Sequence, residues 1–308
     1  MKANRLRVVR IVKRRAEFCY FERNVSYHAN FLGRSGTANV GMWPISSSDI
    51  VMQYNEAAYC HLANGGADGE GFDIDIGCRN ILFRYNYSHD NDGGGILLCN
   101  TGGQVTLCDE DGNVRKDENG KVVIEKGRAE WSDVFIKKNV FARNGKKKGN
   151  FPALMHVAGS CENVYFENNT VIFTDNVSQP LMTVTKWDSE YDSSSPNKFY
   201  FKNNVFLSPV PNESYLRYTY MGEDYLFLSN VYYNMSESFA EVASDTKAFS
   251  FDPLIGIPDD AKGYEKIYDY VPGERKCSEG ALLLKGRNLY DAAGNKVTGR
   301  RYFGAIVA

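Results

Sequence analysis

No stretch of this chain is apolar for long enough to cross a membrane as a helix. The first residues also lack the hydrophobic run of roughly 7–15 residues that a secretory signal needs. Neither sign of charge is in excess: 36 Lys and Arg stand against 38 Asp and Glu, a net charge of −2. That balance argues against a nucleic-acid partner, although the opening residues are basic at Arg5, Arg7, Arg10, Lys13, Arg14 and Arg15. The cysteines (Cys19, Cys60, Cys78, Cys99, Cys108, Cys161, Cys277) are odd in number and unclustered. No C-x-x-C spacing is present for zinc or dithiol chemistry, and they read as buried apolar residues. A Leu-x-x-Leu-x-Leu frame and a sustained 3.6-residue period are both missing, which removes leucine-rich and helical repeats. Proline is scarce, 9 residues against 20 Tyr and 18 Phe, and the 43% hydrophobic fraction is enough for a continuous core.

What is present is a phased asparagine. It closes Phe21-Glu22-Arg23-Asn24, Met52-Gln53-Tyr54-Asn55, Phe83-Arg84-Tyr85-Asn86, Ile136-Lys137-Lys138-Asn139, Phe166-Glu167-Asn168-Asn169, Phe201-Lys202-Asn203-Asn204 and Leu228-Ser229-Asn230. Asn24, Asn55 and Asn86 are 31 residues apart in turn, and Asn139 precedes Asn169 by 30. A unit of constant size is being stacked. Short runs such as Ile81-Leu82-Phe83 and Val164-Tyr165-Phe166 before each Asn are β-branched and aromatic, so the unit is made of strands. The Asn fits a tight bend, where it tolerates left-handed backbone angles and can bond its equivalents in adjacent units. The expected fold is all-β: a right-handed, single-stranded parallel β-helix with coils of roughly 30 residues.

Three regions break the period. Residues 1–16 form a basic segment that either folds over the first coil or marks a truncation, and residues 17–236 carry the repeat. Within it, Gly102 to Ala129 has the pattern of a β-hairpin excursion, with turn signals Asp111-Gly112 and Asn119-Gly120 and flanking runs Gln104–Leu107 and Lys121–Ile124. A smaller insertion spans Trp187 to Asn197. Residues 237–308 lose the repeat and are expected to cover the C-terminal end as an irregular cap.

The chemistry concentrates in Asp68-Gly69-Glu70-Gly71-Phe72-Asp73-Ile74-Asp75, four carboxylates in eight residues. The next coil answers with His89-Asp90-Asn91-Asp92, and aligning the glycine-rich strand entries stacks Asp68 over Asp92. Strand alternation over Phe72 to Ile76 sends Phe72, Ile74 and Ile76 inward and projects Asp73 and Asp75 together, roughly 6–7 Å apart. Such a pair can divide acid and base roles, because repulsion raises one pKa above the other. Glycosidic hydrolysis uses two carboxyls about 5–5.5 Å apart for retention or about 6.5–9.5 Å for inversion. Asp68, Asp73 and Asp75 are therefore the candidate catalytic residues, and Gly65, Gly66, Gly69, Gly71 and Gly93–Gly95 would clear space for a ligand. Clustered carboxylates also suit calcium, for which the ligands would be Asp68, Glu70, Asp90 and Asp92. Substrate-binding candidates are Trp43 as an outward platform for a sugar ring, with Glu70, His89, Asp92 and His156 around the same groove. Lys146-Lys147-Lys148 reads as a solvated turn.

At Asp68 to Asp75, followed by Tyr85-Asn86-Tyr87-Ser88-His89-Asp90-Asn91-Asp92-Gly93, the chain resembles right-handed β-helix proteins of the pectate-lyase-like superfamily in bacteria. Phe251-Asp252-Pro253-Leu254 and Tyr302-Phe303-Gly304-Ala305-Ile306 resemble that group's C-terminal coils, and the likeness covers most of Glu17 to Ala308. It implies a poly- or oligosaccharide substrate, a monomer, and an extracellular, periplasmic or cell-surface location. Members include hydrolases with paired aspartates and calcium-dependent lyases with a Lys or Arg base. Asn91 and Gly95 depart from the lyase ligand pattern, and Leu154-Met155-His156 stands where its lysine would be. The Asp68, Asp73 and Asp75 set resembles the lacto-N-biosidase type of β-helix glycosidase, which requires no cofactor. The remaining alternatives are a calcium lyase and a non-catalytic glycan-binding module.

Overall fold

The computed structural model describes residues 11–14, 16–33, 36, 39–101, 103–107, 109–111, 113–127, 131–147, 153–185, 198–212, 224–236, 245–270, 289–290 and 296–297. Most of the basic segment, the insertion at 187–197 and the closing residues 302–306 lie outside that set. The chain is all-β with three parallel sheets and a single short 3₁₀ turn at Tyr264–Asp269 among the described residues. Strands visit the sheets in cyclic order. Ile11–Arg14 (β1), Glu17–Glu22 (β2) and Val25–Tyr27 (β3) make the first circuit, then Met42–Ile45 (β4), Ser48–Gln53 (β5) and Glu56–Ala58 (β6) the second. Phe72–Ile74 (β7), Arg79–Arg84 (β8) and Tyr87–His89 (β9) follow, then Ile96–Asn100 (β10). After Gly103–Thr106 (β11) and Ile124–Gly127 (β12) come Ser132–Lys137 (β13), Val140–Ala142 (β14), Met155–Gly159 (β15), Glu162–Glu167 (β16) and Thr170–Ile172 (β17). Met182–Thr185 (β18), Lys198–Lys202 (β19), Val205–Asn212 (β20), Asp224–Leu228 (β21) and Val231–Met235 (β22) complete the stack.

Sheet A runs β1-β4-β7-β10-β15-β18, sheet B β2-β5-β8-β13-β16-β19-β21, and sheet C β3-β6-β9-β14-β17-β20-β22. This arrangement is compatible with a parallel β-helix. The excursion is an antiparallel hairpin, β11 on β12 with Gly103 opposite Gly127 and Thr106 opposite Ile124, leaving the stack directly after sheet A. Inward positions repeat from circuit to circuit: Met42, Phe72, Ile96, Met155 and Met182 line sheet A, and Met52, Phe83, Ile136, Phe166, Phe201 and Phe227 line sheet B. All are buried in one continuous core. Cys60, Cys78 and Cys161 are buried thiols, as read from sequence, while Cys19 and Cys99 are half-buried.

The asparagines form a ladder at the corner between sheets B and C. Each Nδ2 donates to the Oδ1 of the next Asn, from Asn24 through Asn55, Asn86, Asn139, Asn169 and Asn204 to Asn230, at 2.9–3.2 Å. Asp245, an acceptor only, ends the series by taking Asn230 N and Nδ2 at 2.9 Å each. The left-handed residue is not the Asn but the one before it: Arg23, Tyr54, Tyr85, Lys138, Asn168, Asn203 and Ser229 have φ between 55° and 60°. Seven non-Gly residues accept that conformation because the ladder bonds over-determine the corner.

Beyond Asp245 the chain turns back along the outer face of sheet C. Ile255, Ala261, Ile267 and Tyr270 pack on Tyr87, Val140, Ala142, Ile172 and Val205. Tyr270 Oη lies 2.9 Å from Tyr87 Oη, and Gly263 N donates to Glu56 Oε1 at 2.9 Å. Sheet C is thereby packed on its outer face along Tyr87, Val140, Ala142, Ile172 and Val205.

Candidate functional site

The acids lie where the chain passes from sheet C into sheet A. Asp68 pairs through its backbone with Asn39, and both Asp68 (φ 71°) and Gly69 (φ 93°) are left-handed. Strain at a non-Gly residue costs on the order of 1–3 kcal/mol, and it tends to persist where function requires it. Glycines 93 to 95 turn out to be required by the neighbouring circuits rather than by a ligand. A Cβ on Gly94 would sit 2.7 Å from Leu154 O and 2.8 Å from Ala153 O, and one on Gly93 2.7 Å from Glu70 N. Gly94→Ala is therefore expected to cost about 1–3 kcal/mol by forcing backbones apart. A thermal unfolding midpoint equal to wild type would refute that packing argument.

On the outer face of sheet A the register aligns Trp43, Asp73, Leu97, His156 and Thr183 in one row, since Met42 pairs with Phe72, Leu97 with both Asp73 and His156, and His156 with Thr183. The row is covered. Trp43 is 7% exposed, Asp73 5%, Leu97 4% and His156 0%. Trp43 accordingly packs with Val40, Leu97 and Ala158 and is no open platform for a sugar ring. Glu70, just ahead of the strand, is fully buried, and neither of its carboxyl oxygens has a hydrogen-bond partner; Asp73 Oδ1 lacks one too. His156 Nδ1 lies 3.6 Å from Glu70 Oε1, and its Nε2 is 2.9 Å from Thr185 Oγ1.

The expected alternation stops early. Strand β7 ends at Ile74, and Ile76 is half-buried in a turn whose Gly77 has φ 73°, so the alternation does not extend to Ile76, although Asp75 N still donates to Pro44 O at 3.2 Å. Asp75 Oδ1 accepts the Ile76 N–H at 2.7 Å. The carboxyls still act on one another. Burial, then Glu70 and Asp75, pushes Asp68 from 3.8 up to about 7. Burial, then Asp75, Asp68 and Glu70, holds Asp73 well above the ordinary carboxylate range.

Because the folded state of Asp68 keeps a proton that the unfolded chain releases from about pH 4 upward, its contribution to stability is full at low pH and disappears as pH rises through about 7. Melts recorded from pH 4 to 8 should show a midpoint that falls across this window, and Asp68→Asn should flatten part of the slope. An unchanged slope in the variant would remove Asp68 as its source.

Three other candidates belong elsewhere. His89 is fully buried in sheet C, held between Asp90 Oδ2 at 2.8 Å and Glu56 Oε1 at 3.0 Å and stacked on Tyr87 at 4.2 Å. It does not reach the sheet A face, because residue alternation on a three-residue strand aims it under the returning segment 255–270. Asp90 is likewise engaged there: burial pushes its carboxyl up, but hydrogen bonds from His89, Arg143 and Lys146 more than offset this and hold it below its ordinary range. Asp92 lies one circuit from Asp68 in the register that pairs Ile96 with Phe72, and its Oδ2 pairs with Lys147 Nζ at 2.8 Å and accepts Leu62 N–H at 3.0 Å, with His61 Nδ1 at 3.5 Å. The lysine turn is thus an ion-pairing element at Lys146 and Lys147. Of the four expected calcium ligands, Asp90 is already paired with Arg143 and Lys146, and Asp92 with Lys147. Among the described residues no group of three His, Cys, Asp or Glu side chains is placed to hold a metal ion.

Sequence reasoning missed the returning C-terminal segment and the cation pairs. Neither had a local signal, since the contacts from Arg143 to Pro258 and from Gly263 to Glu56 span 115 and 207 residues.

The arrangement defines an all-β protein of three parallel sheets with a buried, mutually repelling carboxyl cluster on one of them. A 67-residue portion, 21% of this chain, is 39% identical to Lacto-N-biosidase of Bifidobacterium longum subsp. longum and spans 4% of that protein. No family model matches the chain. Among the described residues no helix is long and apolar enough to cross a membrane.

Proposed function

We propose that the chain is a glycoside hydrolase built on a right-handed, single-stranded parallel β-helix, acting through the Asp68, Asp73 and Asp75 carboxyls at the entry to and exit from β7. The observation that carries this reading is the gathering of four carboxyls, Asp68, Glu70, Asp73 and Asp75, around β7, with Asp68 raised to about 7 by burial and by its acidic neighbours. Asp68 serves as proton donor: at neutral pH it still carries a proton for the departing glycosidic oxygen. Asp75, at the other end of the strand, supplies the anionic partner at the anomeric carbon, and Asp73 holds a ring hydroxyl between them. Water adds its hydroxyl to the anomeric carbon, and its remaining proton restores the donor, so the cycle closes without a cofactor.

The leading charges acting on Asp68 and Asp73 are other carboxylates. A uronate would add a further negative charge to that enclosure, which favours a neutral glycan and disfavours the β-elimination that uronates undergo. Incubating the full chain with a panel of neutral plant and host oligosaccharides should release reducing ends with no new absorbance from an unsaturated product. Unsaturated products would overturn the hydrolase reading in favour of a lyase. Affinity for a glycan that is never cleaved would reduce the protein to a binding module.

A further inference from the structure

Sheet B differs from its neighbours in what it shows to solvent. Its register sets Val51, Leu82, Phe135, Tyr165 and Tyr200 in one outward row, continued by Tyr20 in the first circuit and Leu226 in the last. A strand with one solvated face ordinarily alternates apolar and polar residues. Here Ile50 and Met52, or Val134 and Ile136, fill the core, and yet the residue between them that points outward is also aliphatic or aromatic. None of the row is buried: five members are half-buried, Tyr20 is 68% exposed and Leu226 53%. Strands about 4.8 Å apart make a contiguous stripe of roughly 29 Å, which a soluble monomer seldom leaves bare. The outer face of sheet C is packed against residues 255–270, and Trp43, Asp73 and His156 on sheet A are buried.

A sugar is a poor match for this stripe. Phe135 stacks on Tyr165 with ring centres 4.9 Å apart and planes 10° apart, and Tyr165 stacks on Tyr200 at 4.9 Å and 9°. The ring faces are spent on one another, whereas a sugar ring stacks on a free face. A flat apolar stripe edged by polar groups fits a second sheet of the same kind, packed face to face at about 10 Å. The edges say how. Asp49, Asn80, Asp133 and Asn163 run along the side where the strands enter, and Gln53, Arg84, Lys137 and Glu167 along the side where they leave. A two-fold axis parallel to the stack sets the entry edge of one copy against the exit edge of the other, circuit for circuit. Asp133 then meets Lys137 of the second copy, and Asn80 meets its Arg84; the sixth circuit, with Lys198 against Lys202, is the exception. An axis along the strands through the central circuit would instead oppose Lys137 to Lys137 and Asp133 to Asp133. We propose that sheet B is the docking face for a second copy of this chain, giving a two-fold dimer with parallel stacks in place of the monomer that the resemblance implies. Its footprint, roughly 29 Å by about 13 Å, is at the small end for a specific interface, so association in the micromolar range is expected. The proposal does not depend on the hydrolase reading, since the acids lie around β7 on another sheet.

Sedimentation of the full chain over about 1–200 µM should show a reversible equilibrium between monomer and dimer. Tyr165→Asp puts a charge in the middle of the stripe and is expected to raise the dissociation constant about tenfold or more, with the unfolding midpoint near wild type. Leu82→Lys, in the same row, carries the test if Tyr165→Asp does not fold. Asp133→Lys and Lys137→Asp should each weaken the dimer by about three- to tenfold, and the double variant, which exchanges the two charges, should restore it. A chain that stays monomeric at every concentration, or a dimer left intact by the substitutions in the row, would overturn the proposal. A dimer that those substitutions break but the charge exchange does not restore would overturn the two-fold arrangement.

Discussion

Asp75→Asn is expected to lose turnover by about 10²–10⁴-fold while unfolding at the wild-type temperature. The asparagine keeps an Oδ1 that can accept the Ile76 N–H, so the turn after β7 is expected to survive the loss of the carboxylate. Asp68→Asn should lose activity on the same scale, and its backbone should tolerate the change, because Asn accepts the left-handed angle of φ 71° as readily as Asp. The two variants should separate on substrates with an acidic phenol as leaving group. Such a group departs without a proton, so Asp68→Asn should recover most of its rate and Asp75→Asn should not. Unchanged turnover of Asp75→Asn on a natural glycan would remove Asp75 from the mechanism, and equal rescue of both variants would exchange or dissolve the assigned roles.

The second large effect concerns the fold. Asn139→Ala is expected to destabilise the protein by about 2–5 kcal/mol, as the removal of several buried hydrogen bonds at once does. Asn139 Oδ1 accepts Asn86 N at 2.8 Å and Asn86 Nδ2 at 3.2 Å, and its own Nδ2 donates to Phe83 O at 3.1 Å and Asn169 Oδ1 at 3.0 Å. Alanine leaves the Asn86 amide and the Phe83 carbonyl buried and unpaired. Asn24, at the start of the ladder and only half-buried, donates to Asn55 Oδ1 and Glu22 O and accepts from no preceding Asn among the described residues. Asn24→Ala should therefore cost about 1 kcal/mol or less. Equal losses for the two substitutions, measured by denaturant titration, would contradict a ladder in which interior rungs depend on both neighbours.

The asparagine phase was legible because each rung bonds its equivalent one circuit away, which forces the same residue at the same position and writes the repeat into the chain. Strand identity and the inward apolar rows followed from the same constraint. The hairpin at Gly103–Gly127 was legible from its turn residues. The acidic segment was also visible, and the structure does bring Asp68, Glu70, Asp73 and Asp75 into one electrostatic unit. The pairing of acids between adjacent circuits was not legible. Aligning the glycines gave the backbone register, since Ile96 pairs with Phe72 and Gly93 N donates to Gly69 O, but no local signal showed that the Asp92 carboxylate pairs with Lys147.

Local pattern determined which residues form strands, where the chain turns, and that one acidic segment interrupts a regular stack, since those properties depend on neighbours a few residues or one circuit distant. Burial was decided by tertiary structure alone. Alternation says which way Asp73 and Trp43 point from sheet A, but only the packed structure decides that Asp73, Trp43 and His156 in this outward row are buried, that Glu70 is sealed beside His156, and that His89 lies beneath the segment 255–270 from far along the chain. The energies of carboxyl groups depend on desolvation and on charges brought together from distant positions. A sequence can therefore name the acids, while the fold assigns each its proton.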